Sequence, residues 1–549
     1  MSSDLAAAFQ PLGFPVNDTA RIKSSIGQML AIYYADGYLL CRVDSFSISV
    51  QKHSNDATLT VSVSEGQRLL IGRIDVSGAR FYSRAELSSD LSIQSGEVFD
   101  QSNLETGINY LLTKYNDNGY PLAKILIDSI YVYDGHGADS LGIALTIQEG
   151  KRARIDAVRI EGNTETKSYV ILRALGISRG SYFNEREMTL AKQRLQKLGF
   201  FQNVSDPELF MDGDTTGILV SVTEGNTNTF DGIIGYVPPQ LGQSGYFTGM
   251  IDISMLNLFG TGRKFSAQWH QETTLTQELQ IAYEEPYVFG WPINADLSFG
   301  QRQQDSSSVT RNFEVDGIFM LSDNFNANAS LSTVSTTPLL TANNNYSVYE
   351  SSVLNFGLGV RYDTRNDLYS PTRGLLYETQ IQFGQKKIFG PSQLITPDTR
   401  INNYTQHITM GLSWFDEVFQ RQVLAIGFHG EQVTGTELDQ TDMYRIGGTN
   451  TIRGYLENQF IASKAAWTNI EYRFLTGSES FFFGFVDAGY IYSQSDPLAN
   501  TPATSFSLYG YGLGAQVETG IGILKASFAL GRGDSFTEGK IHFGIVNQF

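Results

Sequence analysis

From about residue 226 to the end of the chain, apolar residues recur with a period of two, in segment after segment. Leu354, Phe356, Leu358, Val360 and Tyr362 share one phase, with Val353, Asn355, Gly357, Gly359 and Arg361 in the other. Leu375, Tyr377, Thr379, Ile381 and Phe383 repeat the pattern, as do Leu424, Ile426 and Phe428 opposite Ala425, Gly427, His429 and Glu431. Such alternation puts successive side chains on opposite faces of a β-strand. A half-buried soluble sheet alternates too, so one segment decides little. Their number decides more. Sixteen segments begin near residues 228, 245, 262, 276, 291, 310, 324, 350, 373, 403, 421, 463, 480, 506, 521 and 539. An even set of antiparallel strands predicts a closed barrel, in which every backbone N-H and C=O is paired and no edge meets lipid.

The connections support this. If the first strand rises from the upstream half of the chain, the long gaps at 336 to 349, 387 to 402, 434 to 462 and 494 to 505 all follow odd strands. Short turns such as "TRNDLYSPT" (364 to 372) and "TG" (519 to 520) follow even ones. Outer-membrane barrels have long loops on one side and short turns on the other, and a soluble sandwich has no reason to.

Composition fits a large β-protein, with 28 Tyr, 35 Phe and 54 Gly among 549 residues. No run of eighteen apolar residues occurs, so no helix is predicted to cross a membrane; barrel strands need only about 9–11 residues. A formal net charge of −18 argues against nucleic acid as a partner. Cys41 is the single cysteine, which leaves no intrachain disulfide and no thiolate metal site. The opening "MSSDLAAAFQ" lacks a basic and then apolar run, so any export signal is expected to have been removed or omitted.

The first 225 residues repeat. One strand end is written three times, as "VSEG" (63 to 66), "IQEG" (147 to 150) and "VTEG" (222 to 225). "IDVSG" ending at Gly78 and "VRIEG" ending at Gly162 give an offset of 162 − 78 = 84, which "LSIQSGEVF" (91 to 99) and "LGISRGSYF" (175 to 183) share. In the third copy Asn184 and Glu187 form a capping pattern, Met188, Ala191, Leu195 and Leu198 make one helical face, and Gly199 ends it. Each unit reads strand, helix, helix, strand, strand. The expected domains are a partial repeat at 1–66, repeats at 67–150 and 151–225, and a barrel at 226–549. In the first copy "GFPVN" (13 to 17) aligns with "GEVFD" (96 to 100), which predicts a chain that starts inside a repeat of a longer precursor; a genuinely short first unit is the alternative.

One cation stands out. Arg453 lies in "GGTNTIRGYLENQF" (447 to 460), within the sixth long loop, 434–462. In "AAWTNIEYRF" the apolar phase Ala466, Thr468, Ile470, Tyr472, Phe474 turns Glu471 and Arg473 inward. In "FFFGFVDAGY" Phe482, Gly484, Val486, Ala488 and Tyr490 face out, so Asp487 faces in. Two carboxylates on adjacent strands then point into a lumen, where a forked guanidinium can accept both. The expectation is a loop folded back into the barrel with Arg453 on Glu471 and Asp487; charges that simply face water are the alternative.

"IRGY" (Ile452, Arg453, Gly454, Tyr455), "FVDAG" (485 to 489), "NLFGTG" (257 to 262), "EPYVFG" (285 to 290), "YDTRNDLYSPTRG" (362 to 374) and the terminal "GIVNQF" together resemble the superfamily of outer-membrane assembly and secretion barrels with POTRA repeats, the BamA type. The resemblance implies POTRA repeats ahead of an all-β, sixteen-stranded transmembrane barrel. It implies that Arg453 pairs inside the barrel with acidic residues of neighbouring strands, Asp487 and Glu471. It also implies a non-enzymatic function without a cofactor, the insertion or translocation of β-barrel clients across or into the bacterial outer membrane, with the repeats in the periplasm. The implied partners are unfolded outer-membrane or secreted client proteins, the lipid bilayer and periplasmic accessory proteins. A secretion pore for one dedicated passenger is the alternative within the family, and a passive porin with a periplasmic binding module the alternative outside it.

Clients are expected to add strands to exposed repeat edges and to enter the membrane through a seam between the first and last barrel strands. The first, "TNTFDGIIGYV" (227 to 237), contains two glycines and runs into Pro238 and Pro239, which cannot donate ladder bonds. The seam residues expected are Phe230, Ile233 and Gly235 on one side and Phe543, Ile545 and Phe549 on the other. Elsewhere the chemistry is bland: six histidines lack metal spacing, and "GYGLG" (510 to 514) lies in a strand with no helix after it, which suits close packing in the wall rather than phosphate.

Overall fold

The computed structural model describes residues 19–546 except 51–56, 136–137, 214, 227, 238–245, 272–274, 305–306, 341–345, 368–369, 497, 499–500 and 520–521. They fall into two compact units.

The first unit comprises the residues up to Glu161 with 176–192 and 206–221. It begins with α1 (Thr19–Ala35), β1 (Arg42–Val50) and β2 (Ala57–Ser64), the strands paired antiparallel. The next repeat runs β3 (Leu70–Ser77), α2 (Arg84–Asp90), α3 (Gln101–Asp117), β4 (Lys124–Gly135) and β5 (Ala138–Gln148). Its sheet order is β3-β5-β4, with β3 and β5 parallel and β4 left at an edge. Ser83 and Glu86 form a capping box at α2, and Asp100 caps α3 through the amides of Ser102 and Asn103. Leu104, Leu111 and Tyr115 of α3 pack on Ile71, Ile143 and Leu145 of the sheet, a core with almost no exposed surface. β6 (Ala157–Glu161) follows.

The remaining elements of the third repeat are α4 (Ser168–Leu175), α5 (Glu185–Lys197), β7 (Phe201–Val204), β8 (Glu208–Asp212) and β9 (Thr215–Glu224). β9 is its central strand, parallel to β6 and antiparallel to β7 and β8. The thrice-written glutamate has one job. Glu65 accepts the Tyr33 hydroxyl at 2.9 Å, and Glu149 accepts the Arg80 and Phe81 amides, both at 2.8 Å, and the Tyr115 hydroxyl at 3.0 Å. Glu224 accepts the amides of Thr164, Glu165 and Thr166 at 2.8, 2.9 and 2.6 Å. The carboxylate at the end of the last strand therefore ties down a neighbouring helix or turn. Burial pushes the Glu224 carboxyl up, but the Thr164 and Thr166 bonds and the backbone amides outweigh it and hold its pKa at about 2.

The second unit comprises 162–175, 193–205 and the chain from Val222. Its sixteen-stranded sheet is made of β10 (Asn228–Val237), β11 (Tyr246–Leu258), β12 (Arg263–Gln271), β13 (Gln277–Glu285), β14 (Ile293–Gln304), β15 (Ser308–Met320), β16 (Phe325–Pro338), β17 (Glu350–Asp363), β18 (Gly374–Gly390), β19 (Asn402–Phe419) and β20 (Gln422–Gly435). After a short ribbon of β21 (Tyr444–Ile446) and β22 (Phe460–Ala462), it continues with β23 (Lys464–Leu475), β24 (Phe481–Ser493), β25 (Thr504–Thr519), β26 (Gly522–Gly531) and β27 (Lys540–Val546). Every neighbouring pair is antiparallel and sequential. All sixteen strands start within two residues of the positions read from alternation. Two long gaps are shorter than the sequence suggested, because β16 pairs as far as Pro338 and β18 as far as Gly390. These strands exceed the roughly 9–11 residues that a bilayer needs, and the hydrogen-bonded ladder continues past the apolar band.

Outward phases are apolar and exposed, as in Leu354, Phe356 and Leu358 of β17 or Phe482, Val486 and Tyr490 of β24. The charged side chains Arg361 of β17 and Asp487 of β24 take the inward phase. In the same unit the turn at 163–167 meets the first barrel turn after an even strand: Asn257 Nδ2 donates to Thr166 Oγ1 at 2.8 Å, and the Lys167 amide to the Gly260 carbonyl at 2.8 Å. Val170, Phe200 and Leu256 form a small buried cluster beside them. Arg194 grips Asp323, in the turn between β15 and β16, with two bonds of 2.6 and 2.8 Å.

Candidate functional site

Loop 6 leaves β20 at Gly435 and returns at β23. The ribbon of β21 and β22 carries its tip, and Gly447, with φ of 114°, starts the turn that ends in Ile452, Arg453, Gly454 and Tyr455. Inside that turn the Gly448 amide donates to the Ile452 carbonyl at 3.1 Å, and Glu457 accepts both the amide and the hydroxyl of Thr449 at 2.6 Å. Ile452 is wholly buried against Trp467, Ile491 and Leu508.

Arg453 is 3% exposed. Its backbone amide donates to Asp487 Oδ2 at 2.9 Å, its Nε to the same oxygen at 2.8 Å and its Nη2 to Oδ1 at 2.7 Å. Nη1 donates to Glu471 Oε1 at 2.6 Å. The guanidinium stacks over Phe485, 3.6 Å from its centroid. Asp487 is completely buried. Glu471 has further partners: Arg473 Nε and Nη2 at 2.9 and 2.8 Å, and Lys525 Nζ at 3.4 Å. A buried guanidinium thus satisfies one carboxylate with a fork and shares the other, the arrangement that makes buried charge tolerable.

The loop is held at further points. Asn469 Nδ2 donates to the Thr451 carbonyl at 2.7 Å, and the Tyr455 hydroxyl donates to the Tyr509 carbonyl and accepts the Arg532 amide, both at 3.2 Å. Close approach requires glycine in the wall: a Cβ at Gly510 would lie 1.8 Å from the Arg453 carbonyl oxygen. Two glycines of "GYGLG", Gly510 and Gly512, therefore serve packing, the second beneath Phe485 and the Phe528 carbonyl.

Sequence reasoning missed several of these groups. Phe481, Phe483 and Phe485 sit on the inward phase of "FFFGF" and were legible there as lumen aromatics. Lys386, of β18, had no such signal: it is fully buried, with its Nζ 2.5 Å from Asp442 and 3.3 Å from Asp439 at the base of loop 6. Asp439 also accepts the Tyr349 amide at 3.3 Å, and Glu437 the Tyr349 hydroxyl at 3.2 Å. Loop 6 is consequently pinned by one buried cation at its base and another at its tip.

The expected seam residues lie on the two end strands. β10 pairs with β11 over its whole length, Phe230 opposite Ile253, Ile233 opposite Met250 and Gly235 opposite Thr248. β27 pairs with β26, Phe543 opposite Ala526 and Ile545 opposite Leu524. Among the described residues neither end strand has a second hydrogen-bonded neighbour. Phe230 and Phe543 are 72% and 59% exposed. Phe549, Pro238 and Pro239 lie outside the described residues, as do the side chains of Ile233 and Ile545.

Comparison with known proteins gives a consistent picture. The Omp85 superfamily domain matches residues 257–549, and the POTRA family, described as a surface antigen variable number repeat, matches 69–150 and 153–225. The outer membrane protein assembly factor BamA of Nitratidesulfovibrio vulgaris is 25% identical over 426 residues, 72% of this chain and 50% of that protein. The crystal structure of BamA from Haemophilus ducreyi lacking POTRA domains 1–3 shares the fold with a TM-score of 0.52 at 16% identity, covering 86% of this chain and 98% of that one. CdiB from Escherichia coli shares it with a TM-score of 0.52 at 13% identity, covering 96% and 98%. The chain spans about a third to a half of the length of the curated assembly factors it matches.

Proposed function

The chain belongs to the Omp85 superfamily, of the BamA type, and from that premise we propose that it inserts β-barrel client proteins into the bacterial outer membrane. The barrel lies in that membrane and the repeats in the periplasm, with repeat bounds at 1–66, 67–150 and 151–225.

The observation that carries this reading is the pair of sheet ends. β10 and β27 terminate the order of a sixteen-stranded sheet, each with one hydrogen-bonded neighbour among the described residues. A client strand entering lipid must never expose unpaired N-H and C=O groups, which cost several kcal/mol each there. A seam whose edge strands accept a client ladder meets that requirement. The repeats supply the earlier step. β4 is an edge strand, and Leu126, Ile127, Ile130 and Val132 are exposed along it, an apolar template for strand addition. No group needs to make or break a covalent bond.

Liposomes containing the protein, given urea-unfolded outer-membrane protein, should fold that client into heat-modifiable, protease-resistant barrels several-fold faster than protein-free liposomes. Equal rates would reject the reading. Steady ion conductance without client folding would instead favour a porin.

A further inference from the structure

Loop 6 reaches not only the strands that hold Arg453 but also the last strand of the sheet. We propose that His542 is a positioning residue that keys β27 to the IRGY turn, so that loop 6 holds one lip of the seam and opening proceeds by departure of β10. This rests on the seam reading above.

His542 is the inward residue between Ile541 and Phe543, which are strongly exposed, and is itself buried. Its Nε2 accepts the Gly454 amide at 3.2 Å. An acceptor Nε2 places the ring proton on Nδ1. That nitrogen lies 3.4 Å from the Thr449 hydroxyl and 3.8 Å from Glu457 Oε1. Since Glu457 already accepts both donors of Thr449, the imidazole closes a set of groups that all belong to the loop.

The site is shaped for this contact. Gly454 has φ of 94°, and a Cβ there would meet the Gly531 nitrogen of β26 at 2.7 Å, so its amide comes close to the wall only because it carries no side chain. β27 needs the support. It is seven residues long, and its ladder among the described residues runs along β26 alone, from Ala529 to Ile523. Arg453 fixes the loop to β23 and β24 and Tyr455 fixes it to β25, so His542 extends a continuous splint to the end strand. β10 has no such attachment to loop 6 among its described hydrogen bonds.

The test is the width of the seam. Spin labels at Asn228→Cys and Gly544→Cys, in a Cys41→Ser background in lipid, give a distance distribution for wild type, His542→Ala and His542→Gln. The alanine variant should populate long distances several-fold more, and glutamine, whose amide oxygen reaches about as far as Nε2, should restore the wild-type distribution. Alanine matching wild type, or glutamine as open as alanine, overturns the proposal. If His542→Ala does not give a heat-modifiable barrel, His542→Leu, which keeps the buried volume, replaces it. Failure of both to fold while glutamine folds would assign the residue to stability alone and also overturn it. A disulfide across the seam separates the two readings. Insertion lost on locking, with an unchanged width in His542→Ala, rejects His542 only. Insertion indifferent to locking rejects the seam itself.

Discussion

The Asp487 carboxylate accepts three hydrogen bonds from Arg453, one from the backbone amide and two from the guanidinium. The carboxylate therefore depends on both the side chain and the placement of the loop. Glu471 does not, because Arg473 and Lys525 remain beside it. Arg453→Ala should destabilise the folded barrel by about 3–5 kcal/mol, the cost of orphaning a buried charge, read as a lower urea midpoint for heat-modifiable migration. Arg453→Met with Asp487→Leu should recover most of that loss, and client insertion should stay low if loop position matters. Arg453→Lys should behave like the alanine variant in activity, since an ammonium cannot form the fork.

The second buried cation predicts a separable effect. Lys386→Met leaves Asp439 and Asp442 facing each other without a counter-charge, at a similar cost of about 3–5 kcal/mol. The base of loop 6, near 436–443, should become protease-sensitive from outside while the tip stays seated. Cleavage at the tip instead would mean that the two anchors are not independent.

Glu224 predicts a pH dependence in the third repeat. Its pKa in the folded chain, about 2, lies below the ordinary 4.5. A depressed carboxylate stabilises fully above the unfolded value, so its contribution is present above about pH 5 and is lost as pH falls toward 2. Amide exchange at Thr164, Glu165 and Thr166 should rise through that window, and Glu224→Gln should flatten the response. Glu224→Ala at neutral pH should cost about 2–3 kcal/mol locally.

The turn at Asn257 to Gly262 gives a steric prediction. A Cβ at Gly260 would stand 2.0 Å from the Glu165 carbonyl oxygen, and Gly260 has φ of 73°. Gly260→Ala should break the Lys167 to Gly260 bond and expose 163–167 to proteolysis, with a cost of about 1–3 kcal/mol. Unchanged protection there would contradict the contact.

The barrel was legible because lipid on one side and a polar lumen on the other force a period of two, and strand starts follow directly from it. The inward phases of Glu471 and Asp487 were legible for the same reason. Lys386 was not: its neighbours Gln385 and Lys387 are polar as well, so alternation fades where β18 leaves the apolar band. His542 was readable as inward, but its partner is a backbone amide, which no side-chain pattern reveals. The repeated glutamates announced a repeat without announcing that each clamps a helix or turn, because their partners are backbone amides far upstream in the chain and a tyrosine four residues before the helix-ending glycine, which carry no side-chain signature of the pairing.

The most direct measurement is client insertion by a barrel whose β10 and β27 are joined by an engineered disulfide, in a Cys41→Ser background. Folding of added client into liposomes should fall to the protein-free rate when the bond is oxidised and return on reduction. Insertion at an undiminished rate with the seam covalently shut would contradict the account.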